Sequence, residues 1–327
     1  MKRIYSVFLF LVVHLGLAGQ QLLPTTTTNR IIEHSYFTLS YCAENRQAEW
    51  VYYVLTADML KGTQPRRDNF RPDPKISTSS AALSDYRNSG YDRGHLCPAA
   101  DMKMSATSMA ETFYLSNISP QAPSFNRGIW SSLESVVRNW AATKGKIYVV
   151  TGGILTRPGG TIGANKVTVP NYFYKIVYAP DQEKMIAFVL PNVRGTRHLT
   201  EYVVTVDSVE RLTGIDFFAS LEPSVQSKLE SESNHTLWSF DGYRSTTATY
   251  AGEPAEQCKG IAATTKARCR NKTTNANGFC TIHQSQAPDY VKPPPTGTVG
   301  GQCQAITKAG KRCSRTAQPG RKYCFQH

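Results

Sequence analysis

A series of aromatic and β-branched segments, two pairs of which are joined by short connections, limits this chain to a fold built around an antiparallel sheet. The clearest strands are predicted at residues 36–41, 49–55, 146–151, 171–178 and 184–190. The first two are close enough to pair as a hairpin. The last two are joined by a turn that contains Pro180 and Asp181, which favours a second hairpin.

One long amphipathic helix is predicted over residues 126–143, among these strands. On a helical wheel its apolar residues fall within an arc of about 120°, so one face of the helix should be buried. Glu134 and Arg138 lie just beyond one edge of that stripe. Shorter helices are predicted over residues 105–114 and 199–213. The fold class is therefore α+β, with mainly antiparallel pairing.

The amino terminus has the pattern of a targeting segment. Lys2 and Arg3 precede a mostly apolar run over residues 4–17, and Gly16 and Ala18 give a small-x-small cleavage pattern at its end. This is typical of a cleavable signal peptide, predicted as residues 1–19. A membrane anchor is the alternative, but the run is shorter than the roughly 20 residues that a spanning helix needs. We expect a secreted or periplasmic protein with no membrane attachment after cleavage.

Composition divides the rest of the chain into a folded domain, residues 30–252, and a basic tail. The segment 256–327 carries 12 basic and 2 acidic residues, so most of the net charge of +13 lies there. The tail contains two related repeats, residues 256–283 and 301–327, joined by a Pro-rich linker, residues 284–300. It either holds a polyanion close to the domain or serves only as a solubilising or surface-attachment segment.

Each tail repeat carries three cysteines and one histidine at similar spacing. The first has Cys258, Cys269, Cys280 and His283, and the second has Cys303, Cys313, Cys324 and His327. Such a set matches tetrahedral zinc coordination, and a copy this short cannot build a core of its own. Disulfides are the alternative in an exported protein. The odd cysteine number per copy and the recurring histidine favour zinc. The copies resemble small cysteine-rich repeats appended to bacterial proteins.

The strongest chemical pattern in the domain is Asp-Arg-Gly-His at residues 92–95. A neutral imidazole, here His95, is a general base near pH 7, and an arginine fork matches phosphate oxygens. Asn126 opens the long helix, and an amide oxygen suits a hard cation such as Mg²⁺. With Arg93 and Arg138 as phosphate clamps, this inventory fits hydrolysis of a metal-bound phosphodiester by an activated water.

The ordered set of the 92–95 motif, Asn117, Asn126, Glu134 and Arg138 resembles the DNA/RNA non-specific endonucleases of the ββα-metal (His-Me finger) group. Matching segments also occur at residues 68–73, 152–154 and 169–175, and the resemblance spans about residues 34–252. It implies a ββα-metal fold and an enzyme that hydrolyses phosphodiester bonds of both DNA and RNA. Contacts limited to phosphate and sugar would explain that breadth.

The resemblance also implies a role for each residue of the set. His95 would deprotonate the attacking water. Asn126 would be the single direct protein ligand of a hydrated Mg²⁺ (or Mn²⁺), and Glu134 would hold metal-bound waters. Arg93 and Arg138 would bind the scissile phosphate.

Asn117 would orient the site near His95, although it could instead serve only a turn. Other interpretations stay open for the helix: Asn126 could cap it, and Glu134 and Arg138 could be an ordinary i,i+4 pair on a solvated face. For the whole protein, the alternatives are a nucleic-acid-binding protein without turnover and a phosphodiesterase for small substrates. The sequence leaves the oligomeric state open.

Cys42 and Cys97 are the two cysteines of the folded domain. In an exported protein a disulfide between them is expected, which would tie an early strand to the segment that carries His95. Two buried free thiols are the alternative.

Overall fold

A seven-stranded antiparallel sheet forms the centre of the protein in the computed structural model. The structure describes residues 22–156, 158–241, 243, 256–262, 266–270, 272–273, 278–279 and 281–286. The strands of the sheet are β1 (Ile31–Glu33), β2 (Phe37–Cys42), β3 (Gln47–Leu55), β6 (Ile147–Gly153), β9 (Tyr172–Ala179), β10 (Lys184–Pro191) and β11 (Val203–Val204). Their order across the sheet is β1-β2-β3-β6-β9-β10-β11, so both predicted hairpins, β2–β3 and β9–β10, are confirmed.

Smaller elements surround the sheet. Two further strand pairs are β4 (Asp92–His95) with β5 (Ile118–Gln121), and β7 (Pro158–Ile162) with β8 (Val167–Pro170). The α-helices are α1 (Leu83–Tyr86), α2 (Ala106–Glu111), α3 (Ser131–Lys144), α4 (Val206–Thr213) and α5 (Pro223–Glu230). A π-helical turn, Phe125–Trp130, leads directly into α3. The class is α+β, as predicted.

The sheet is covered on both faces. Successive residues of a strand point to opposite sides, so each strand contributes to two separate apolar clusters. In β3, Val51 and Tyr53 join the cluster that contains the apolar stripe of α3, whereas Trp50 and Tyr52 join the cluster that contains residues of α4 and α5. The helix predicted over 126–143 is therefore the cover of one face. Its position fixes where the first turn, with Asn126, meets β4 and β5.

The helix predicted over residues 199–213 is only partly present. Residues Leu199–Tyr202 form a single 3₁₀ turn, and β11 then pairs with β10 at the edge of the sheet. The α-helix begins after Thr205, whose side chain accepts a hydrogen bond from the Ser208 amide, and it ends at Gly214 with a left-handed backbone. The β-branched pair of β11 gains more from the sheet edge than from a helix.

The expected disulfide between Cys42 and Cys97 is wrong, since both thiols are free and buried. Cys42 ends β2, and its sulfur accepts a hydrogen bond from Asn45 at 2.9 Å. Cys97 packs with no exposed surface in the cluster under α3. Each thiol fills its own site as a small apolar side chain.

Several predictions fall outside the described residues: the signal peptide at 1–19, Cys280, most of the linker and the whole second repeat. Within the part of the chain that the structure describes, no helix has the length and apolar character needed to span a bilayer.

Candidate active site

Two strands and a helix bring the motif residues together. β4 pairs antiparallel with β5, so that His95 lies opposite Ile118, and the chain then enters the π-helical turn and α3. Gly94 faces Gln121, whose side chain would overlap any Cβ at that position. The indole of Trp130 donates a hydrogen bond to the carbonyl of His95 at 3.4 Å, which ties the helix to β4.

His95 lies in an aromatic pocket at the base of the site. Its ring centre is 5.0 Å from Phe113 and 5.4 Å from Phe70. The ring is buried, with 9% of the residue exposed, and its Nε2 has no hydrogen-bond partner among the described residues. An unpaired buried nitrogen is unusual in a purely structural histidine. It is available to a ligand or a water.

The surroundings of His95 favour its neutral form. Burial lowers its pKa to about 3, and the positive charges of Arg66 and Arg93 act in the same direction, while Asp68 opposes them. A neutral imidazole can accept a proton. At neutral pH His95 is therefore in the state that a general base requires.

The side chain of Asn126 is held by Asp92. The Nδ2 of Asn126 donates to Asp92 Oδ2 at 2.9 Å, and Arg127 donates to both oxygens of the same carboxylate. Asp92 thus accepts hydrogen bonds from two neighbouring side chains. Because the amide nitrogen is committed to Asp92, the amide oxygen is the end left for a cation.

Asn126 does not cap a helix. The turn begins after Ser124, and Asn126 lies inside it, with its side chain directed to Asp92. This turn has π-helical hydrogen bonding and a non-helical backbone at Gly128. Such turns carry one extra residue and are frequent at functional sites.

Glu134 lies one turn into α3 and lines the same cleft as His95 and Asn126. Burial raises its pKa to about 7, although Lys175 and Arg138 oppose that effect with their positive charges. A carboxylate whose ionised form is this poorly solvated gains from a nearby cation. Glu134 is not in an ordinary solvated i,i+4 pair.

Arg138 lies behind Glu134 and outside the set of residues that line the cleft. Its guanidinium donates to Asp101 at 2.9 Å and to Ser135 at 2.9 Å. Asp101 also accepts a hydrogen bond from Tyr53 at 3.1 Å. Arg138 therefore does not line the cleft with His95 and Asn126, although its charge acts on Glu134.

Asn117 is completely buried and clamps the chain just beyond His95. Its Oδ1 accepts from the Cys97 amide at 2.8 Å, and its Nδ2 donates to the carbonyls of Cys97 and Thr112, each at 2.9 Å. It does more than serve a turn, because it fixes the backbone that carries His95. It is also absent from the lining of the cleft.

The cleft above these residues has a volume of about 770 Å³. It is lined by His95, Asn126 and Glu134 together with Arg66, Asp68, Phe70, Leu83, Tyr86, Arg87, Tyr91, Asp92, Arg93, Pro98, Ala99, Ala100, Arg127 and Ser131. Arg93 is exposed and lies 4.2 Å from the ring centre of Phe70. None of the ion pairs in the described part of the chain includes Arg93, so its charge is available to an anion.

Sequence analysis missed two parts of this site. The ring of Phe70 contacts both His95 and Arg93. In the sequence, the segment 68–73 indicated only a resemblance to the family and no role for Phe70. Lys175 on β9 is fully buried, with its Nζ 4.7 Å from the centre of the Trp130 ring. A lysine within a strand gives no signal of its own, because its neighbours Trp130, Glu134 and Asp101 are distant in sequence and approach it only on folding.

A ββα unit that presents an imidazole, a carboxamide and a carboxylate to one basic cleft defines a hydrolytic nuclease. A family model described as DNA/RNA non-specific endonuclease matches residues 18–224. The chain belongs to the DNA/RNA non-specific endonuclease family.

Individual relatives agree with this assignment. The chain is 34% identical over 228 residues to a Nuclease of Nostoc sp., a match that covers 64% of this chain and 81% of that protein. It is 35% identical over 202 residues to human mitochondrial Endonuclease G, covering 57% and 68% of the two chains. A solved structure of an EndoG/EndoGI complex matches with a TM-score of 0.56 and 34% identity, covering 59% of this chain and 86% of that one.

Proposed function

We propose that this protein is an exported, Mg²⁺-dependent endonuclease that cleaves DNA and RNA without sequence specificity. The observation that carries the proposal is the convergence of His95, Asn126 and Glu134 on one cleft. Manganese is the expected substitute for magnesium, since both are hard cations that accept oxygen ligands. Export rests on the predicted signal peptide over residues 1–19.

The chain's own residues suit a divalent cation at this place. Asn126 would hold it through Oδ1, because Asp92 fixes the opposite end of the amide. Glu134 would hold water molecules of its hydration shell, and its ionised form would be stabilised in return. The cation would supply Lewis-acid stabilisation of charge on the phosphate and on the leaving oxygen.

His95 acts as the base in this proposal. Its imidazole removes one proton from a water molecule, the water oxygen attacks phosphorus, and the bond from phosphorus to the 3′-oxygen breaks. The product is a 5′-phosphate, and the leaving oxygen becomes a hydroxyl by taking a proton from solvent. The imidazolium that forms is costly in the buried aromatic pocket, which returns the proton quickly to water.

The other residues of the set take supporting roles. Arg93, which is exposed, binds the scissile phosphate, and its guanidinium packs over the ring of Phe70. Asn117 positions the backbone that carries His95. Arg138 contributes through Asp101 and Glu134 and not by direct contact with the phosphate.

The domain organisation predicted from sequence is part of the proposal: a nuclease domain over residues 30–252 followed by two Cys₃His repeats at 256–283 and 301–327. The substrate class is nucleic acid in single- or double-stranded form. The cleft is lined by Arg66, Arg87, Arg93 and Arg127, whose guanidinium groups match phosphate oxygens, which are the same in every sequence.

Replacing His95 by Ala tests the proposed base. We expect cleavage of plasmid DNA and of RNA to fall by at least roughly 10³-fold, because general-base catalysis contributes about 10²–10⁴. The matched control is His198→Ala, which removes an exposed histidine that does not line the cleft and should leave both rates unchanged. Unfolding curves check that both variants fold. A folded His95→Ala protein with full activity would refute the assignment.

A parallel assay separates the alternatives. With EDTA, both DNA and RNA cleavage should stop and should return when excess Mg²⁺ is added. Binding of nucleic acid without any cleavage in Mg²⁺ would favour a binding protein, and faster turnover of a small phosphodiester than of DNA would favour the small-substrate enzyme.

A further inference from the structure

Outside the nuclease cleft, the described part of the tail brings three metal-binding side chains to one point. The sulfurs of Cys258 and Cys269 and a ring nitrogen of His283 all lie within 4.8 Å of one another. All three side chains are buried, although the surrounding tail segments are short and mostly exposed. Apart from the two cysteines, no apolar cluster of the described residues lies in this part of the chain.

The local backbone is arranged around these three side chains. A short strand pair, β12 (Glu256–Gln257) and β13 (Lys272–Thr273), precedes and follows the two cysteines. The amide of Cys269 donates to the carbonyl of Gly260 at 2.7 Å. These contacts hold two segments of the repeat against each other at the point where the cysteines meet.

Gly260 has two functions in this arrangement. Its amide donates to the sulfur of Cys258 at 3.3 Å, which fixes the position of that sulfur beside His283. Its Cα lies so close to His283 that any Cβ at this position would overlap the histidine side chain. Only glycine therefore lets the backbone turn around Cys258 while the imidazole approaches.

The spacing matches zinc. With Zn–S and Zn–N bonds of about 2.3 Å and 2.05 Å and a tetrahedral angle, a coordinated sulfur and nitrogen are about 3.6 Å apart. The observed distance between Cys258 Sγ and His283 Nδ1 is 3.7 Å. Two thiolates and an imidazole are soft to borderline ligands, which select zinc over magnesium or calcium.

We propose that the first tail repeat is a structural zinc module in which Cys258, Cys269 and His283 bind one Zn²⁺. By sequence, Cys280 is the fourth ligand, three positions before His283 and outside the described residues. A tetrahedral Cys₃His site supplies the cross-link that a repeat of this size needs in place of a core. The similar spacing of Cys303, Cys313, Cys324 and His327 predicts from sequence the same ligand set in the second repeat, which lies outside the described residues.

The test is the zinc content of the purified full-length protein, measured by elemental analysis per mole of chain. We expect bound zinc in the wild type and one equivalent less in each of Cys269→Ser and His283→Gln. Cys42→Ser is the matched control, because it removes a buried cysteine of the nuclease domain and should keep the full zinc content. Rates of short-oligonucleotide cleavage should be unchanged in the two tail variants, which shows that the nuclease domain has folded.

Two results would overturn the proposal. One is a zinc content that is the same in the wild type, Cys269→Ser and His283→Gln. The other is a disulfide-linked peptide that contains Cys258 or Cys269 in a non-reducing digest of the full chain. Replacement of zinc by Co²⁺ gives an independent check, since tetrahedral thiolate coordination produces visible absorption bands that each tail variant should weaken.

Discussion

The carboxylate of Asp92 decides which end of the Asn126 amide faces the cleft. It accepts from Asn126 Nδ2 at 2.9 Å and forms an ion pair with Arg127. Replacing Asp92 by Asn removes the charge and allows the amide to turn, so the proposed cation would lose its oriented ligand. Partners of metal ligands typically contribute 10- to 100-fold to affinity.

We therefore expect the Asp92→Asn variant to need roughly tenfold more Mg²⁺ for half-maximal cleavage. The measurement is the cleavage rate as a function of Mg²⁺ concentration. Asp58→Asn is the control, since Asp58 is exposed and pairs only with Lys61 in the described part of the chain. An unchanged Mg²⁺ requirement in Asp92→Asn would contradict the role of Asp92.

The buried ring of His95 makes stability depend on pH in a defined direction. Burial lowers its pKa to about 3 in the folded protein, against an ordinary value of 6.5. Between these values the unfolded chain binds more protons than the folded one, so acidification destabilises the fold. This contribution is fully present above about pH 6.5 and is lost as the pH falls toward 3.

Replacing His95 by Gln should reduce that acid sensitivity. In EDTA, the free energy of unfolding should fall less between pH 7 and pH 4.5 for His95→Gln than for the wild type. Urea denaturation at the two pH values measures the difference. His198→Gln, an exposed substitution, should behave as the wild type. Equal losses in His95→Gln and the wild type would show that His95 titrates normally.

At the scale of elements, β9 places the ammonium group of Lys175 in the layer between the sheet and α3. Phe173 and Val177 point to that layer, and Lys175 shares their face of the strand. Burial lowers the pKa of Lys175, while Glu134 and Asp101 raise it. The ammonium group thus supports the ionised form of Glu134 from behind the cleft.

Substituting Lys175 by Met should raise the pKa of Glu134 further, because a positive charge is lost and the apolar volume is kept. We expect the acid limb of the cleavage rate at limiting Mg²⁺ to move up by about one pH unit. Lys184→Met on the adjacent strand is the control. If the Lys175→Met variant loses stability but keeps the wild-type pH profile, Lys175 has a purely structural role.

The elements themselves were largely predictable from sequence. The β-branched and aromatic residues of β3 and β9 predict strands, and the apolar stripe of α3 predicts a helix. The site was predictable where chemistry is concentrated in a short motif, as at residues 92–95. The contacts of Lys175 could not be predicted in this way, and neither could the pairing of Arg138 with Asp101. Both depend on which distant segments meet on folding, and a local sequence pattern does not contain that information.

At the scale of the whole molecule, most of the net positive charge lies in a different part of the sequence from the candidate active site. The tail over residues 256–327 holds most of the net positive charge, whereas the domain is nearly neutral. A basic segment tethered to a nuclease raises the local concentration of a polyanion without changing contacts at the cleft. The expected effect is on binding of long substrates and not on the chemical step.

Truncation after Gly252 tests this division. We expect unchanged cleavage rates for short oligonucleotides, weaker binding of long DNA at low salt, and a shallower dependence of log affinity on log salt concentration. Binding titrations at several salt concentrations measure the slope. If the truncated and full-length proteins bind long DNA equally, the tail has a solubilising or attachment role instead.

The π-helical turn at Phe125–Trp130 also limits how this sequence can change in length. Each residue of an α-helix advances the chain by 100°. Losing a single residue here would let the turn relax to α-helical geometry and swing Asn126 away from Asp92, while α3 stayed packed on the sheet. Under the proposed mechanism, a turn shortened by one residue would lose the Asn126–Asp92 contact and with it the oriented ligand for the cation.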